Sequence, residues 1–465
     1  MKKTKIIATL GPASANPKVL KEMIDNGLNV ARINFSHGTT ESNQANIDLI
    51  KSVRTKLNVP LSIMVDTRGP EVRVKTFEDG CVHLNKGQTF SFWGENKLGN
   101  SSGVAITEPS ILPRLQIGDT ILANDGLISL KVISKDNNLV TTKVITGGKL
   151  SDNKGLTFKD FDLKLPYISD RDKKDLIWAF KNKCDYVACS FVTCKQDIIE
   201  VRKLMEKYKH SCKIIAKIES SLGIKNLVEI LDACDGVMVA RGDLGVEYAV
   251  SKLPSLQSNI LKTARDMHKI SIVATEMLES MIHNPRPTRA EVSDVANAIR
   301  EGAGAIMLSA ETSVGEYPSK AVKTMCDISL ETEKELDYES LYSHTKIKDT
   351  IANITTTMAI KLTHKLPTKA IAICTSKGKM ATYVATSLPK CDIYAITNNQ
   401  NTYYQMGLLR GVLPIYLPKF DETQIFSNIN DELLSQKLVK KSDNIVLVTG
   451  TTDEFSNVVK INTIN

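Results

Sequence analysis

A length of 465 residues, set against the roughly 150 of a typical domain, implies about three domains and enough chain to build cores without disulfide or metal staples. The composition is 42% hydrophobic, 24% charged and 5% aromatic with 25 Gly and 15 Pro, which excludes a disordered chain, a collagen-like fibre and a small disulfide scaffold. The formal charge of +8 has no polybasic arm behind it, which argues against nucleic-acid binding and suits anionic small molecules.

The chain opens MKKTKIIATLGP, whose apolar stretch is too short for a secretory signal. No run approaches the ~18–20 uncharged apolar residues of a membrane-spanning helix, so no membrane association is expected. Strand-like runs then recur at 5–9, 30–34, 61–66, 186–190, 213–218, 236–240, 272–275 and 305–309. Helical periodicity fills the intervals at 17–26, 41–57, 170–182, 196–209, 222–231, 253–269, 289–301 and from 319 onward. Asp170 and Ser221 are candidate helix caps, and Gly27 and Gly302 stand where helices should stop. Eight strand–helix units predict an α/β fold built on a (β/α)8 TIM barrel, with a doubly wound open sheet as the alternative.

Between Asp66 and Asp170 the alternation fails. Short strand-like runs at 89–93, 120–123, 128–133 and 139–145 are punctuated by Asn124-Asp125-Gly126, Asp136-Asn137-Asn138 and Gly147-Gly148, which are turn signals. An all-β domain inserted after the third barrel strand is expected, placed at the barrel mouth as a lid. Past residue 340 a separate alternation, with strands at 370–374, 393–397, 412–417 and 445–448, predicts a C-terminal α/β domain. The expected division is 1–70 with 157–340 for the barrel, 71–156 for the lid and 341–465 for the C-terminal domain. The nine cysteines form no CxxC pair. Cys184, Cys189 and Cys194 are evenly spaced, but Cys189 lies in an apolar run and zinc sites use closer pairs, so buried thiols in a reducing, cytoplasmic compartment are expected.

Reactive groups of such a barrel come from the C-terminal ends of its strands. Polar residues gather there: Arg32, Asn34, Ser36 and His37 after the second strand, Asp66, Thr67, Arg68 and Glu71 after the third, and Ser190 after the fourth. Lys217 and Glu219 end the fifth, Arg241, Gly242 and Asp243 the sixth, Thr275 the seventh and Ser309 the eighth. Strand alternation would set Arg32, Asn34 and Ser36 on one face, Lys217 with Glu219, and Arg241 with Asp243. Structural ion pairs at the rim would explain any one of these, but charged groups at nearly every strand end exceed what packing requires. Glu219 and Asp243 are a natural supply for Mg²⁺, Lys217 could neutralise charge on a transferring phosphoryl or an enolate oxygen, and Gly242 lets backbone amides approach a carboxylate.

The segments Lys5-Ile-Ile-Ala-Thr-Leu-Gly-Pro-Ala-Ser14, Asn29-Val-Ala-Arg-Ile-Asn-Phe-Ser-His-Gly38, Asp66-Thr-Arg-Gly-Pro-Glu-Val-Arg73 and Asn124-Asp-Gly-Leu-Ile128 carry a family resemblance. So do Ile214-Ile-Ala-Lys-Ile-Glu219, Met238-Val-Ala-Arg-Gly-Asp-Leu-Gly245, Ala274-Thr-Glu-Met-Leu-Glu-Ser-Met281, Asn284-Pro-Arg-Pro-Thr-Arg-Ala-Glu291 and Leu308-Ser-Ala-Glu-Thr312. In this order, over nearly the whole chain, they resemble the pyruvate kinases. The resemblance implies phosphoryl transfer from phosphoenolpyruvate to ADP, giving pyruvate and ATP in glycolysis, with Mg²⁺ and K⁺ as cofactors and a homotetrameric assembly. It implies Mg²⁺ at Glu219 and Asp243, a second Mg²⁺ on the nucleotide, and Lys217 against the phosphoryl. Arg32 and Arg73 would contact phosphates, while Lys154, His37 and Pro12 would serve the nucleotide. Amides of Gly242 and Asp243 with the Thr275 hydroxyl would hold the substrate carboxylate, Thr275 also belonging to the route that protonates the enolate. Asn34, Ser36, Asp66 and Thr67 would bind K⁺, and Glu71, where K⁺-independent relatives carry lysine, predicts K⁺ dependence.

Several positions depart from the family pattern. Glu276 replaces the usual Gln or Asn, adding a carboxylate near an anionic substrate, and the return segment at 154–160 lacks the usual Asn and Pro-Gly. The effector loop reads Thr375-Ser-Lys-Gly-Lys-Met-Ala381, with Lys377 and Met380 at hydroxyl positions, and the loop at 450–456 is short. Lys377 and Lys379 could receive a phosphate as point charges or be solvated loop lysines, and activation by fructose 1,6-bisphosphate is not expected. Two other functions fit fewer residues. A Mg²⁺-dependent carbon–carbon lyase would not need the lid, Lys154 or the cation set, and a non-catalytic paralogue would have lost Lys217, Glu219 or Asp243, all of which are present.

Overall fold

The computed structural model describes residues 1–343, 350–418, 425–452 and 455–464. Eight parallel strands close into a barrel: Lys5–Thr9, Val30–Asn34, Ser62–Asp66, Tyr186–Cys189, Lys213–Ile218, Gly236–Ala240, Ile270–Ala274 and Ala305–Leu308. The open-sheet alternative is thereby excluded, because the first strand pairs with both the second and the eighth. These strands are almost wholly buried and rich in Ile, Val and Ala, as parallel strands covered on both faces must be.

Between strands, helices turn an apolar stripe inward; Pro17–Asp25 buries Leu20 and Met23, and Arg289–Arg300 buries Val295, Ala298 and Ile299. Two expected caps move back by one residue. Ser169 accepts from the Asp172 amide and Ser220 from the Gly223 amide, since the capping side chain must sit outside the first turn to reach its orphan N–H groups. The helix expected at 222–231 is two short helices, Ser221–Lys225 and Leu227–Ala233, parted at Asn226. The seventh strand ends at Ala274, so Thr275 is not its last residue; at φ 70° Thr275 has left the strand for the left-handed region. The polar run after the sixth strand is likewise no strand. Arg241–Glu247 is helical, and the face-sharing expected of Arg241 and Asp243 does not arise.

Residues between the third and fourth barrel strands form an antiparallel-rich seven-stranded sheet and a two-stranded ribbon around a separate core that includes Phe90, Phe92, Leu130 and Val140. Its Asn124-Asp125-Gly126 turn takes φ values of 51°, 55° and 82° and abuts the barrel, a Cβ on Gly126 lying 3.4 Å from Val246. The C-terminal sheet orders its strands Val412–Tyr416, Asp392–Thr397, Ala370–Cys374, Asn444–Thr452 and Phe455–Thr463. The last of these was not expected. It pairs antiparallel with Asn444–Thr452, so most of the expected loop at 450–456 is ladder, and residues 453 and 454 of that loop lie outside the described residues. Met64 and Ile215 of the barrel share one core with Ile371, Val384 and Leu408 of the C-terminal domain. Polar ties cross the same seam: the Tyr186 hydroxyl donates to the Gln405 carbonyl at 2.5 Å and Lys5 Nζ to the Val412 carbonyl at 2.7 Å. Cys184 and Cys189 are free and buried, and among the described residues no three potential ligands gather as a metal cluster. No helix among them is long and apolar enough to cross a membrane.

Candidate active site

At the C-terminal mouth of the barrel the fifth strand presents Lys217, and Glu219 follows directly after it. Lys217 Nζ stands 3.0 Å from a Glu219 carboxylate oxygen, 3.1 Å from Asp66 and 2.7 Å from the Ser190 hydroxyl. Burial opposes the charge on Lys217, yet Asp66 and Glu219 outweigh it and hold the ammonium well above its ordinary range. Asp66, 1% exposed, also receives Arg32 through Nε at 2.8 Å and Nη2 at 2.8 Å. Burial would raise the Asp66 carboxyl, but Lys217 and Arg32 together keep it below the usual carboxylate range. Arg32 is tied further to the Thr9 hydroxyl at 2.8 Å, so first, second, third and fifth strands meet in one buried network.

Asp243 enters from the first turn of helix Arg241–Glu247, within hydrogen-bonding reach of Glu219. Its carboxyl is raised, first by burial and then by the Glu219 charge, with Lys217 only partly offsetting both. Two carboxylates that repel each other in a dry pocket are a poor structural pair, and they suit a divalent cation. Mg²⁺ characteristically takes one or two protein carboxylates and fills its octahedron with water and substrate oxygens. The donor set fits: all oxygen, two acids, no competing His or Cys. The Gly242 amide donates to the Thr275 hydroxyl at 3.0 Å, and a Cβ on Gly242 would meet nothing closer than 3.8 Å, so the backbone there is open to a ligand.

Of the four expected cation ligands, Asn34 and Asp66 are register partners on adjacent strands. Asn34 Oδ1 accepts from the Ser36 amide at 3.0 Å, while the Thr67 hydroxyl accepts from the Ser190 amide at 3.2 Å. The four expected nucleotide residues stay outside the Lys217 network. Pro12 and His37 are exposed in turns after the first and second strands. Arg73 is paired with Glu71, its Nε 2.6 Å from the carboxylate, and donates to the Asn153 carbonyl at 2.8 Å. Lys154 lies 4.0 Å from Asp125 with both side chains exposed.

Three residues hold the site together to which the sequence assigned no role, although Ser190 stood among the polar strand ends. Ser190 accepts from Lys217 and donates to the Thr67 carbonyl at 2.7 Å. Phe191, in the left-handed region at φ 52°, turns its amide onto Glu219 at 2.5 Å. Gly69 lies so close to the fourth strand end that a Cβ would fall 2.6 Å from the Ser190 carbonyl, and its φ is 74°. Arg241 turns away from Asp243, pairing with Asp294 at 2.6 Å and donating to the Thr275 carbonyl at 2.5 Å. It pins the loop of Thr275 and Glu276, two consecutive left-handed residues; Glu276 is exposed and makes no ion pair among the described residues.

Comparison with known proteins decides what this arrangement belongs to. The family description "Pyruvate kinase, barrel domain" matches residues 1–322, and "Pyruvate kinase, alpha/beta domain" matches residues 353–462. The chain belongs to the pyruvate kinase family. It is 39% identical to a pyruvate kinase of Chlamydia muridarum over 429 residues, covering 90% of this chain and 89% of that one. It is 38% identical to a pyruvate kinase of Clostridium perfringens, covering 97% and 96%. A crystal structure of a pyruvate kinase from Cryptosporidium parvum superposes with a TM-score of 0.95 at 32% identity, covering 100% of this chain and 96% of that one. As in other pyruvate kinases, the enzyme class is a phosphotransferase.

Proposed function

We propose that this chain transfers the phosphoryl group of phosphoenolpyruvate to ADP, giving pyruvate and ATP in glycolysis, and that it depends on Mg²⁺ and K⁺. The observation that carries the reading is the convergence of Lys217, Glu219 and Asp243 on one buried pocket at the barrel mouth. In this reading Glu219 and Asp243 hold Mg²⁺, which when bound supplies positive charge to the carboxylate and phosphoryl oxygens of the substrate. Lys217 and Arg32 face the phosphoryl group. An ADP oxygen bonds to phosphorus as the bond to the enolate oxygen breaks, and the pair of charged side chains neutralises the charge that spreads over the transferring oxygens. Amides at Gly242 and Asp243 with the Thr275 hydroxyl orient the substrate carboxylate, and Thr275 stands on the route by which carbon takes its proton.

Arg73, Lys154, His37 and Pro12 serve the nucleotide, and the lid carrying Lys154 excludes water when it closes. Asn34, Ser36, Asp66 and Thr67 supply oxygen ligands for K⁺. The division into a barrel of 1–70 with 157–340, a lid of 71–156 and a C-terminal domain of 341–465, a homotetramer, and a cytoplasmic setting complete the proposal. The lyase alternative has no use for the lid or Lys154, and the non-catalytic alternative has no reason to keep the three charged groups together. A coupled assay of pyruvate formation from phosphoenolpyruvate and ADP tests the reading: turnover requiring Mg²⁺ supports it, and its absence in folded protein with both cations present refutes it.

A further inference from the structure

On the floor of the barrel, opposite the catalytic mouth, the C-terminal domain packs over the end of helix Leu253–Asp266 and the turn at Gly302. A crevice of about 20 Å³ is left in this seam. The charged side chains that line it are all basic among the described residues: Arg265 and Lys269 from the barrel and Arg410 from the C-terminal domain. Arg410 is 4% exposed; it reaches the Tyr338 hydroxyl, yet its Nε and Nη2 find no acceptor among the described residues. Arg265 Nε is buried and unpartnered in the same way, while its Nη1 donates to the Glu301 carbonyl at 3.0 Å. Lys269 Nζ donates to the Cys234 carbonyl at 2.8 Å, a neutral acceptor. A Cβ on Gly302 would fall 2.7 Å from Arg265 Nη1 and 2.9 Å from Leu388, so the bare glycine at φ 89° keeps this corner open.

The acids around the seam are committed elsewhere. Glu333 accepts the Lys3 and Thr4 amides at 2.8 and 2.6 Å, Asp392 lies 3.7 Å from Lys3 Nζ, and the Glu301 carboxylate accepts from Gln257 at 2.7 Å. Asp266 follows Arg265 in the chain, but its buried Oδ1 has no hydrogen-bond partner among the described residues and it does not line the crevice. An arginine cannot shed its proton to escape burial, and a buried charge without a counter-charge is strongly disfavoured. Water would satisfy the donors and leave the charge unmet. The volume sets the size of the counter-ion: one water-sized particle fits, and a phosphate does not. We propose that this crevice holds one monatomic anion, a chloride, which joins Arg410 to Arg265 and Lys269 and so pins the C-terminal domain to the barrel floor. Both domains contribute donors, so the ion binds the docked arrangement alone and stabilises it.

Two measurements on the full chain test this. Crystals grown in bromide in place of chloride are expected to show an anomalous bromide peak in the crevice, within hydrogen-bonding reach of Arg410. In solution, K⁺ and ionic strength are held constant while chloride replaces gluconate, an anion too large for the crevice. The thermal midpoint is expected to rise by roughly 2 °C for each tenfold increase in chloride. Arg410→Met, and Arg265→Gln on the barrel side, are each expected to lose most of that rise. Water alone in the crevice of the bromide crystals overturns the proposal, and this readout needs no variant to fold. A midpoint that answers chloride equally in parent and variants overturns it, because the effect would then be one of bulk salt. A bromide peak with no chloride effect in solution marks an adventitious ion only and overturns it as well.

Discussion

Lys217 and Glu219 are two residues apart on one edge of the barrel, and their charged ends meet at 3.0 Å inside a pocket that almost excludes water. Such a pair is poorly explained as a stability device. Desolvating both charges costs several kcal/mol each, and an apolar pair of the same volume would serve packing as well. A carboxylate held by a lysine on one side and crowded by Asp243 on the other is better explained as half of a metal site whose second charge is a phosphoryl group.

Removing the ammonium tests that directly. Lys217→Met should leave the barrel folded, because Asp66 keeps both contacts to Arg32. It should lower kcat by at least about 10²–10³, the usual loss for a group that stabilises developing charge. A variant retaining most of its turnover would remove Lys217 from the mechanism.

Ser190 is predicted to act through Lys217, as a positioning residue. Its hydroxyl, 2.7 Å from Nζ, fixes the ammonium from the fourth strand. Ser190→Ala should lower kcat by roughly tenfold, the scale of one hydrogen bond to a charged group, with little change in KM for ADP. An effect confined to thermal stability would make Ser190 structural only.

Glu71 stands beside Arg73 at the edge of the site, its carboxyl raised by burial against the pull of Arg73. A carboxylate cannot replace a monovalent cation, so turnover should fall by roughly tenfold or more when Na⁺ replaces K⁺ and NH₄⁺, the scale of one charge contact. Glu71→Lys should shrink that difference. Equal rates in K⁺ and Na⁺ would contradict the prediction.

At the barrel floor, burial pushes Lys5 down to about 7 from 10.5. Between those values the unfolded chain binds one more proton than the folded one, so this group's contribution to stability rises with pH, is complete above the unfolded value, and is lost as pH falls through about 7. The stability of the parent chain relative to Lys5→Met should therefore increase from pH 7 to pH 9, by at most about 1.4 kcal/mol per pH unit. Denaturant titrations across that range check it, and a flat or falling difference would contradict it.

The barrel was legible because its strands are continuous apolar runs with caps and glycines at their borders, and because charged residues mark the end of nearly every strand. Lys217, Glu219 and Asp243 were legible for the same reason, since charge in an apolar context is conspicuous. The parts played by Ser190, Phe191 and Gly69 were not, although Ser190 was noted at its strand end, because serine, phenylalanine and glycine are ordinary in loops, and only the fold brings a hydroxyl, an amide and a missing Cβ against the site. Arg241 was misplaced by strand alternation, which fails where the chain leaves the sixth strand directly for a helix. The final strand Phe455–Thr463 escaped because Asn457 and Val458 interrupt the period-two pattern, leaving only the short alternation Val459-Lys460-Ile461-Asn462.

The central claim is that Glu219 and Asp243 jointly ligate the divalent cation that Lys217 faces across the substrate. Crystals grown with Mn²⁺ in place of Mg²⁺ and with phosphoenolpyruvate test it through the anomalous signal of manganese. The account predicts one strong peak bonded to an oxygen from each of the two acids, with the phosphoryl group between the metal and Lys217 Nζ. A peak bound elsewhere, or none while substrate occupies the barrel mouth, would contradict it.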